Sequence, residues 1–307
     1  MSIVKRIVGF SGGADSQATA LWCRQNFDPA DVILVNSDAG GNEHPITTSF
    51  IKWYSDTIHQ VVMISPQVQD MAGRAAAEIE ARGLKPSDPL TFDLMAELKG
   101  VFPRKKMQFC TTHLKLYPQL RWMDEHFPPT FINGVRQFRR DVERYAGVRR
   151  DESESRKDVA DGEYDDVFGC WLNRPIAAWT KAEVFDYLKA NGEEVNPLYR
   201  MGFSRVGCAP CVNSGKGDIH LWAVRSPEMI DKIRAWEARV NLTFFPPIIP
   251  CKPFINSNGK TQRRRHAFVD EVVEWSKTVR GGRQYALPVL EADVESGMCM
   301  SHYGLCE

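Results

Sequence analysis

Three groups of residues in this 307-residue chain have the types and spacing to do chemistry. The first is Ser11-Gly12-Gly13-Ala14-Asp15-Ser16, set directly after the apolar run Ile7-Val8-Gly9-Phe10. It reads as a strand, a glycine-rich turn and the start of a helix over 14–25. Adjacent glycines let backbone N–H groups turn toward a ligand, and a helix N-terminus adds partial positive charge. Such a site binds phosphate. No Lys-Ser or Lys-Thr follows the second glycine at the spacing of the common P-loop, so this is a different loop. Ser11, Gly12, Gly13, Asp15 and Ser16 are its candidate ligand-binding residues. The Asp15 carboxylate suits either a Mg²⁺ ion or the positive end of the helix.

The second group is Asn36-Ser37-Asp38-Ala39-Gly40-Gly41-Asn42-Glu43-His44-Pro45, at the end of a second strand-like run. Asp38 is placed to accept hydrogen bonds or assist a metal. A plain turn before a proline-led helix explains the same residue types. The third group is the cysteines. Cys208-Ala-Pro-Cys211 has metal-ligand spacing, Cys110 stands apart, and Cys299 and Cys306 sit in the last nine residues. By spacing alone, Zn²⁺, a [4Fe–4S] cluster and a redox disulfide are all open to Cys208 and Cys211. Eight cysteines in a chain with no secretion signal argue against a disulfide framework.

The elements that must position these groups alternate. Strand-like runs at 3–10, 32–36 and 60–64 interleave with helical periods at 14–25, 47–57 and 69–81, and a fourth strand is expected at 130–133. That order predicts an α/β fold: a parallel twisted sheet with helices on both faces, its ligand site beyond the carboxyl ends of the strands. The turns after Phe10, Asn36 and Asn133 are expected to converge there. Residues 136–165 are rich in both charges and read as an exposed, mobile segment. Further helices are expected at 181–191, with Thr180 as N-cap and Glu183 closing a capping box, and at 229–240 and 267–278. A domain at 1–200 and a smaller, mainly helical, cysteine-bearing region at 201–307 follow. Lys+Arg and Asp+Glu balance at 39 each, so no global field advertises a polyanionic partner. Charges near the start and the lack of a long apolar run predict a cytoplasmic protein without a membrane span.

The pattern Ser-Gly-Gly-x-Asp-Ser resembles the PP-loop of the ATP pyrophosphatase superfamily, which cleaves ATP between its α- and β-phosphates. The 36–45 segment is similar to the Asp-Thr-Gly-x-Glu-x-Pro element of the phosphoadenosine phosphosulfate (PAPS) reductase-like branch, with one residue inserted. Cys110-x-x-x-x-Lys115-x-x-Pro118, the Gly147-x-Arg149-x-x-Glu152-Ser153-x-x-Arg156 loop and Pro175-Ile176-x-x-Trp179 continue the resemblance, in order, through residue 211. It implies ATP and Mg²⁺ as ligands. The positive charge on the departing pyrophosphate comes from Mg²⁺, the loop N–H groups and Lys115, Arg149 and Arg156, with Asp15 beside them. Iron–sulfur members carry a Cys-Cys pair where this chain has Cys110-Thr111, and a Cys-x-x-Cys at Cys208 and Cys211. The resemblance therefore implies a [4Fe–4S] cluster on Cys110, Cys208, Cys211 and Cys306, with Cys299 or an open iron as alternatives for the last.

Within the family, this mixture is similar to the DNA phosphorothioation proteins. That implies an ATP-dependent sulfurtransferase working with a cysteine desulfurase and other DNA-modification proteins on DNA. Arg136, Arg139, Arg140, Arg144, Arg149 and Arg150, with Arg263, Arg264 and Arg265, are the expected phosphate contacts. A PAPS or adenylylsulfate reductase using Cys306, and a nucleotide-binding subunit with a structural metal and no turnover, are the competing expectations.

Overall fold

Alternation within the first strands decides which helices they carry. In a computed structural model, which describes residues 4–279 except 72, 74 and 106, strands β1 (Lys5–Gly9), β2 (Val32–Ser37) and β3 (Val61–Ile64) pair in parallel. Val8, Val32, Leu34 and Val61 point to one face, where Ala20, Cys23, Phe50, Ile51 and Tyr54 of helices α1 (Ala14–Asn26) and α2 (Pro45–Thr57) cover them. Ile7, Val35 and Ile64 point to the other and meet Met123 of helix α4, introduced below. Both faces are thus dry, as a parallel sheet requires.

The sheet has six strands in the order β3-β2-β1-β4-β6-β5, where β4 is Val142–Tyr145, β5 Gly162–Asp165 and β6 Cys170–Asn173. Only β5 runs antiparallel to its neighbour. The strand beside β1 is therefore β4, not the expected 130–133. Residues Phe131–Ile132 instead pair with Val135–Arg136 in a separate short hairpin. Asn133 and Gly134 hold φ of 50° and 76° at its turn, as an Asn-Gly two-residue hairpin demands.

The segment 136–165 is corrected in the same way. It supplies β4 and β5, and its arginines are mostly internal: Arg139 and Arg144 are buried, with Arg144 2.6 Å from Asp165 and Arg136 2.7 Å from Asp124. Arg149 pairs with Asp15 and Arg150 with Asp161. Ionic partners from distant positions neutralise a run that reads as surface charge. The expected helix at 69–81 is also shorter. A single 3₁₀ turn at Val68–Met71 is followed by a helix only at Ala76–Ala81, because Gly73 (φ 85°) interrupts the helical run.

Helix α3 spans Phe92–Lys99 and α4 Tyr117–His126. Helix α5 (Lys181–Ala190) begins with the expected capping box, Thr180 and Glu183 bonding each other's backbone. Beyond it lie α6 (Lys216–Arg225), α7 (Pro227–Val240), an antiparallel hairpin of β7 (Ile249–Ile255) and β8 (Thr261–Arg265), and α8 (Val269–Ser276). The C-terminal region is therefore helical with a two-stranded ribbon added. One apolar cluster joins Phe92, Phe102 and Leu114 to Ile219, Trp222, Ile233, Trp236, Phe244 and Val272, so α3 and the C-terminal helices share a core. Cys299 and Cys306 lie outside the described residues, and no helix within them is long and apolar enough to cross a membrane.

Candidate nucleotide and thiol site

The turn between β1 and α1 is closed by its own hydroxyls. Ser16 Oγ accepts from the Ser11 N–H at 3.1 Å and donates to the Gly13 carbonyl at 2.9 Å, while the Ser11 and Ser16 hydroxyls lie 3.1 Å apart. Gly12 has φ 77°, and a methyl there meets Ile51 at 2.9 Å, so both conformation and packing ask for glycine. Asn196 donates to the Gly12 carbonyl at 3.2 Å, and the Tyr199 hydroxyl receives the Ala14 N–H at 3.0 Å. These two contacts, from after α5, brace the loop from outside; the sequence carried no sign of them.

The loop after β4 lies against the start of α1. Arg149 Nε donates to Asp15 Oδ1 at 2.8 Å, and both side chains are buried. The structure thus brings together two of the expected nucleotide-site residues, with Asp15 spending its charge on Arg149. Arg149 also pairs with Asp151, and the fully buried Arg156 pairs with Glu152. Gly147 is what permits this approach: a Cβ there lies 2.6 Å from the Asp15 carbonyl. Backbone cannot yield as a flexible side chain can. Gly147→Ala is expected to cost about 1–3 kcal/mol, the range for an overpacked interior. It should appear as a lower urea midpoint at unchanged slope; an unchanged midpoint contradicts the contact.

Asp38 sits in the loop after β2, where its carboxylate accepts the Gly41 N–H at 2.7 Å and Lys232 of α7 donates to the Gly41 carbonyl at 2.6 Å. Two residues on, this loop meets the third group of residues. Glu43 forms an isolated antiparallel bridge with Cys208; Ala209 N–H donates to Asn42 O at 3.1 Å and Asn42 Nδ2 to Pro210 O at 2.9 Å. The Cys208-Ala-Pro-Cys211 turn is therefore pinned to the loop that follows β2. Cys110 and Lys115 reach the same place from the helix leading into α4, which widens to a π-helical turn over Thr112–Leu116. Pro118 accounts for this: its ring crowds the carbonyl four residues back and has no N–H to offer it.

Cys110, Cys208 and Cys211 line one cavity with Thr111, Lys115 and Arg205. Burial pushes the Cys110 thiol up to about 12, and the neighbouring Cys208 and Cys211 add to this. Burial also raises Cys211, against the pull of Arg205. Burial disfavours the Lys115 charge, but Cys208, to which its ammonium donates, and Glu43 outweigh that and hold its pKa above the ordinary lysine value. Among the described residues no three His, Cys, Asp or Glu side chains converge as they would on a single ion.

Glu43, which sequence reading passed over as a site residue, is pushed up to about 7 by burial, with Lys115 opposing. A carboxyl whose folded pKa is raised binds its proton more tightly in the native state, so its contribution is present at low pH and lost as pH rises from about 4.5 to about 7. The metal-free protein is expected to lose about 1–3 kcal/mol more than Glu43→Gln over that interval, measured by urea unfolding at each pH. Parallel pH profiles for the two proteins rule this out.

The glycine-rich turn on a mostly parallel sheet is the arrangement of the PP-loop ATP pyrophosphatase superfamily, and the family match of this region supports an enzyme acting on nucleotides. Residues 5–214 match the phosphoadenosine phosphosulfate reductase domain, and the chain belongs to that family. It is 29% identical to an uncharacterised 37.8 kDa protein of Escherichia phage 186, over 98% of this chain and 96% of the phage protein. It is 40% identical over 68 residues to the adenosine 5′-phosphosulfate reductase of Burkholderia cepacia, a match spanning 22% of this chain and 27% of that enzyme. Among solved structures, the PAPS reductase of Candida auris aligns over 66% of this chain and 81% of its own, with a TM-score of 0.44 and 16% identity.

Proposed function

We propose that this protein is an ATP-dependent sulfurtransferase, which splits ATP to AMP and pyrophosphate to activate an acceptor oxygen and aids replacement of that oxygen by sulfur. The observation that carries it is the Glu43–Cys208 bridge, which fastens a partly buried set of thiols to the loop beside the nucleotide turn. In this reading the Ser11 and Ser16 hydroxyls and the first N–H groups of α1 hold phosphate oxygens, and Arg149, oriented by Asp15, answers the growing negative charge. The acceptor oxygen bonds to the α-phosphorus as the bond to the β-phosphate breaks and pyrophosphate leaves. Hydrosulfide sulfur then bonds to the activated centre and AMP departs with the oxygen. Mg²⁺, if bound, would be assisted by Asp38 and would supply charge neutralisation on the pyrophosphate, while Asp15 orients Arg149.

The donor chemistry at the cavity suits a [4Fe–4S] cluster, which the thiolates of Cys110, Cys208 and Cys211 on its walls would hold. Lys115 and Arg205 there offset thiolate charge. Thr111 lines the cavity beside Cys110, and the fourth position would fall to Cys306, to Cys299 or to no protein side chain. Such a cluster supplies an iron at which sulfide can be held for transfer. The acceptor proposed is a DNA backbone phosphate, with a cysteine desulfurase supplying sulfur as a persulfide, a thiol reductant releasing it as hydrosulfide with two electrons, and other DNA-modification proteins as partners.

A second reading, release of sulfite from a sulfonucleotide, is favoured by the local similarity to adenosine 5′-phosphosulfate reductases. Anaerobically purified protein separates the two: pyrophosphate from ATP is followed beside sulfite from PAPS and from adenylylsulfate. Sulfite without pyrophosphate sinks the sulfurtransferase. ATP bound with neither product, partners and DNA supplied, leaves a nucleotide-binding subunit.

A further inference from the structure

The β7–β8 hairpin is the most unbalanced stretch of charge on the molecule. Residues 249–266 carry Lys252, Lys260, Arg263, Arg264 and Arg265 and no acidic residue, in a chain whose 39 basic and 39 acidic residues cancel overall. All five are exposed, and Arg263, Arg264, Lys252 and Lys260 enter no ion pair among the described residues; Arg265 is held by Glu271 at 2.7 Å. Apolar groups stand among them, with Phe254 41% and Ile255 74% exposed near the tip. The ribbon is irregular by construction. Its register slips by two residues between the Phe254–Gln262 and Pro250–Arg264 pairs, around Pro253, which has no N–H for the ladder. An even slip keeps Phe254 and Arg264 on one face.

A second stretch of positive charge lies at the ribbon's base. Arg104 and Lys105 are exposed in a tight turn closed by hydrogen bonds between Arg104 and Met107 of 3.2 and 2.8 Å. Phe102, just before this turn, and Ala267, just after β8, belong to one apolar cluster, and His266, next to Ala267 in the chain, is held below the ordinary histidine value by partial burial and then by Arg104. Directly after this turn, Gln108 and Cys110 line the thiol cavity. Unpaired cations interleaved with exposed apolar side chains on a protruding two-stranded ribbon match a polyanion with flat apolar bases, and a ribbon of this kind enters a DNA major groove. Acidic protein surfaces offer charge but no such faces.

We propose that the β7–β8 hairpin, with the 104–107 turn at its base, binds the phosphodiester backbone of a nucleic acid and directs it toward the cavity lined by Cys110, Cys208 and Cys211. This deepens the proposed function and rests on it for what the bound strand is used for, while the binding itself is measured without turnover. The test uses the full chain and fluorescein-labelled 30-residue probes: duplex DNA, single-stranded DNA and RNA, titrated from 50 to 200 mM salt. At least one probe is expected to bind, with affinity falling steeply as salt rises. Arg263→Ala with Arg264→Ala should weaken it at least tenfold and flatten the logarithmic salt slope by about 1.8 for duplex, or about 1.4 for single strands. Arg104→Ala with Lys105→Ala should weaken it severalfold.

The control Lys52→Ala with Lys189→Ala removes the same charge from exposed positions elsewhere and should change nothing. Binding of an ATP analogue should be equal in all four proteins. The probe bound tightest identifies the strand type. Absence of binding at 50 mM salt, full binding by the hairpin variant, or equal loss in the control overturns the proposal. Pyrophosphate release that fails while probe binding persists sinks the sulfurtransferase and not the hairpin.

Discussion

Arg149→Ala is expected to destabilise the protein by about 3–5 kcal/mol, because it strands a carboxylate in the interior. Asp15 and Arg149 are 5% and 6% exposed and 2.8 Å apart. Nothing on a surface salt bridge justifies such a figure; the cost comes from leaving Asp15 buried without its cation. Removing both should therefore cost less than the sum of the single losses, so Asp15→Ala in the Arg149→Ala background is expected to recover a measurable part. A urea double-mutant cycle reads the coupling directly. Coupling of zero means the pair is incidental. The nucleotide arm of the same experiment asks for more than stability: Arg149→Lys, which keeps charge but not the fork, should fold and still bind an ATP analogue at least tenfold more weakly. Normal affinity in that variant removes Arg149 from the phosphate site.

Cys208→Ser is the second large effect. If three thiols share a cluster, loss of one from the Cys-x-x-Cys turn should drop iron and visible absorbance in anaerobically purified protein to background. ATP-analogue binding should persist, its affinity shifted only as far as an empty thiol pocket shifts it, since the Ser11–Ser16 turn uses none of these sulfurs. Two outcomes count against the cluster: a colourless wild-type protein carrying zinc, or a Cys208→Ser protein with its full iron. Cys251→Ser provides the comparison, being a partly exposed cysteine on the hairpin outside the cavity lining, and should keep the wild-type iron.

What could be read from residue order alone was whatever the chain writes locally. The Ser11–Ser16 turn and the Thr180 capping box each fit within a few residues, and each is formed as written. Strand β4 was hidden because Val142-Glu-Arg-Tyr145 looks like surface until Arg144 is seen facing Asp165 across the sheet. Neither residue announces the other. Asn133-Gly134 did carry a legible hairpin signal that was read as the end of a strand. Glu43 escaped notice for a different reason: its environment is built by Lys115 and Cys208, more than 70 positions away. Charge partners and cavity walls are facts of folding back, not of spacing.

The bridge from Glu43 to Cys208 makes the two chemistries mechanically one. Whatever occupies the sulfur pocket fixes the position of a turn whose backbone is hydrogen-bonded to the stretch leaving β2, and that stretch frames the phosphate cradle. If filling either compartment alters affinity in the other, reciprocity demands the same factor in return. If the proposed sulfur centre and nucleotide site are both present, a loaded chain should then grip nucleotide with a different strength from an empty one.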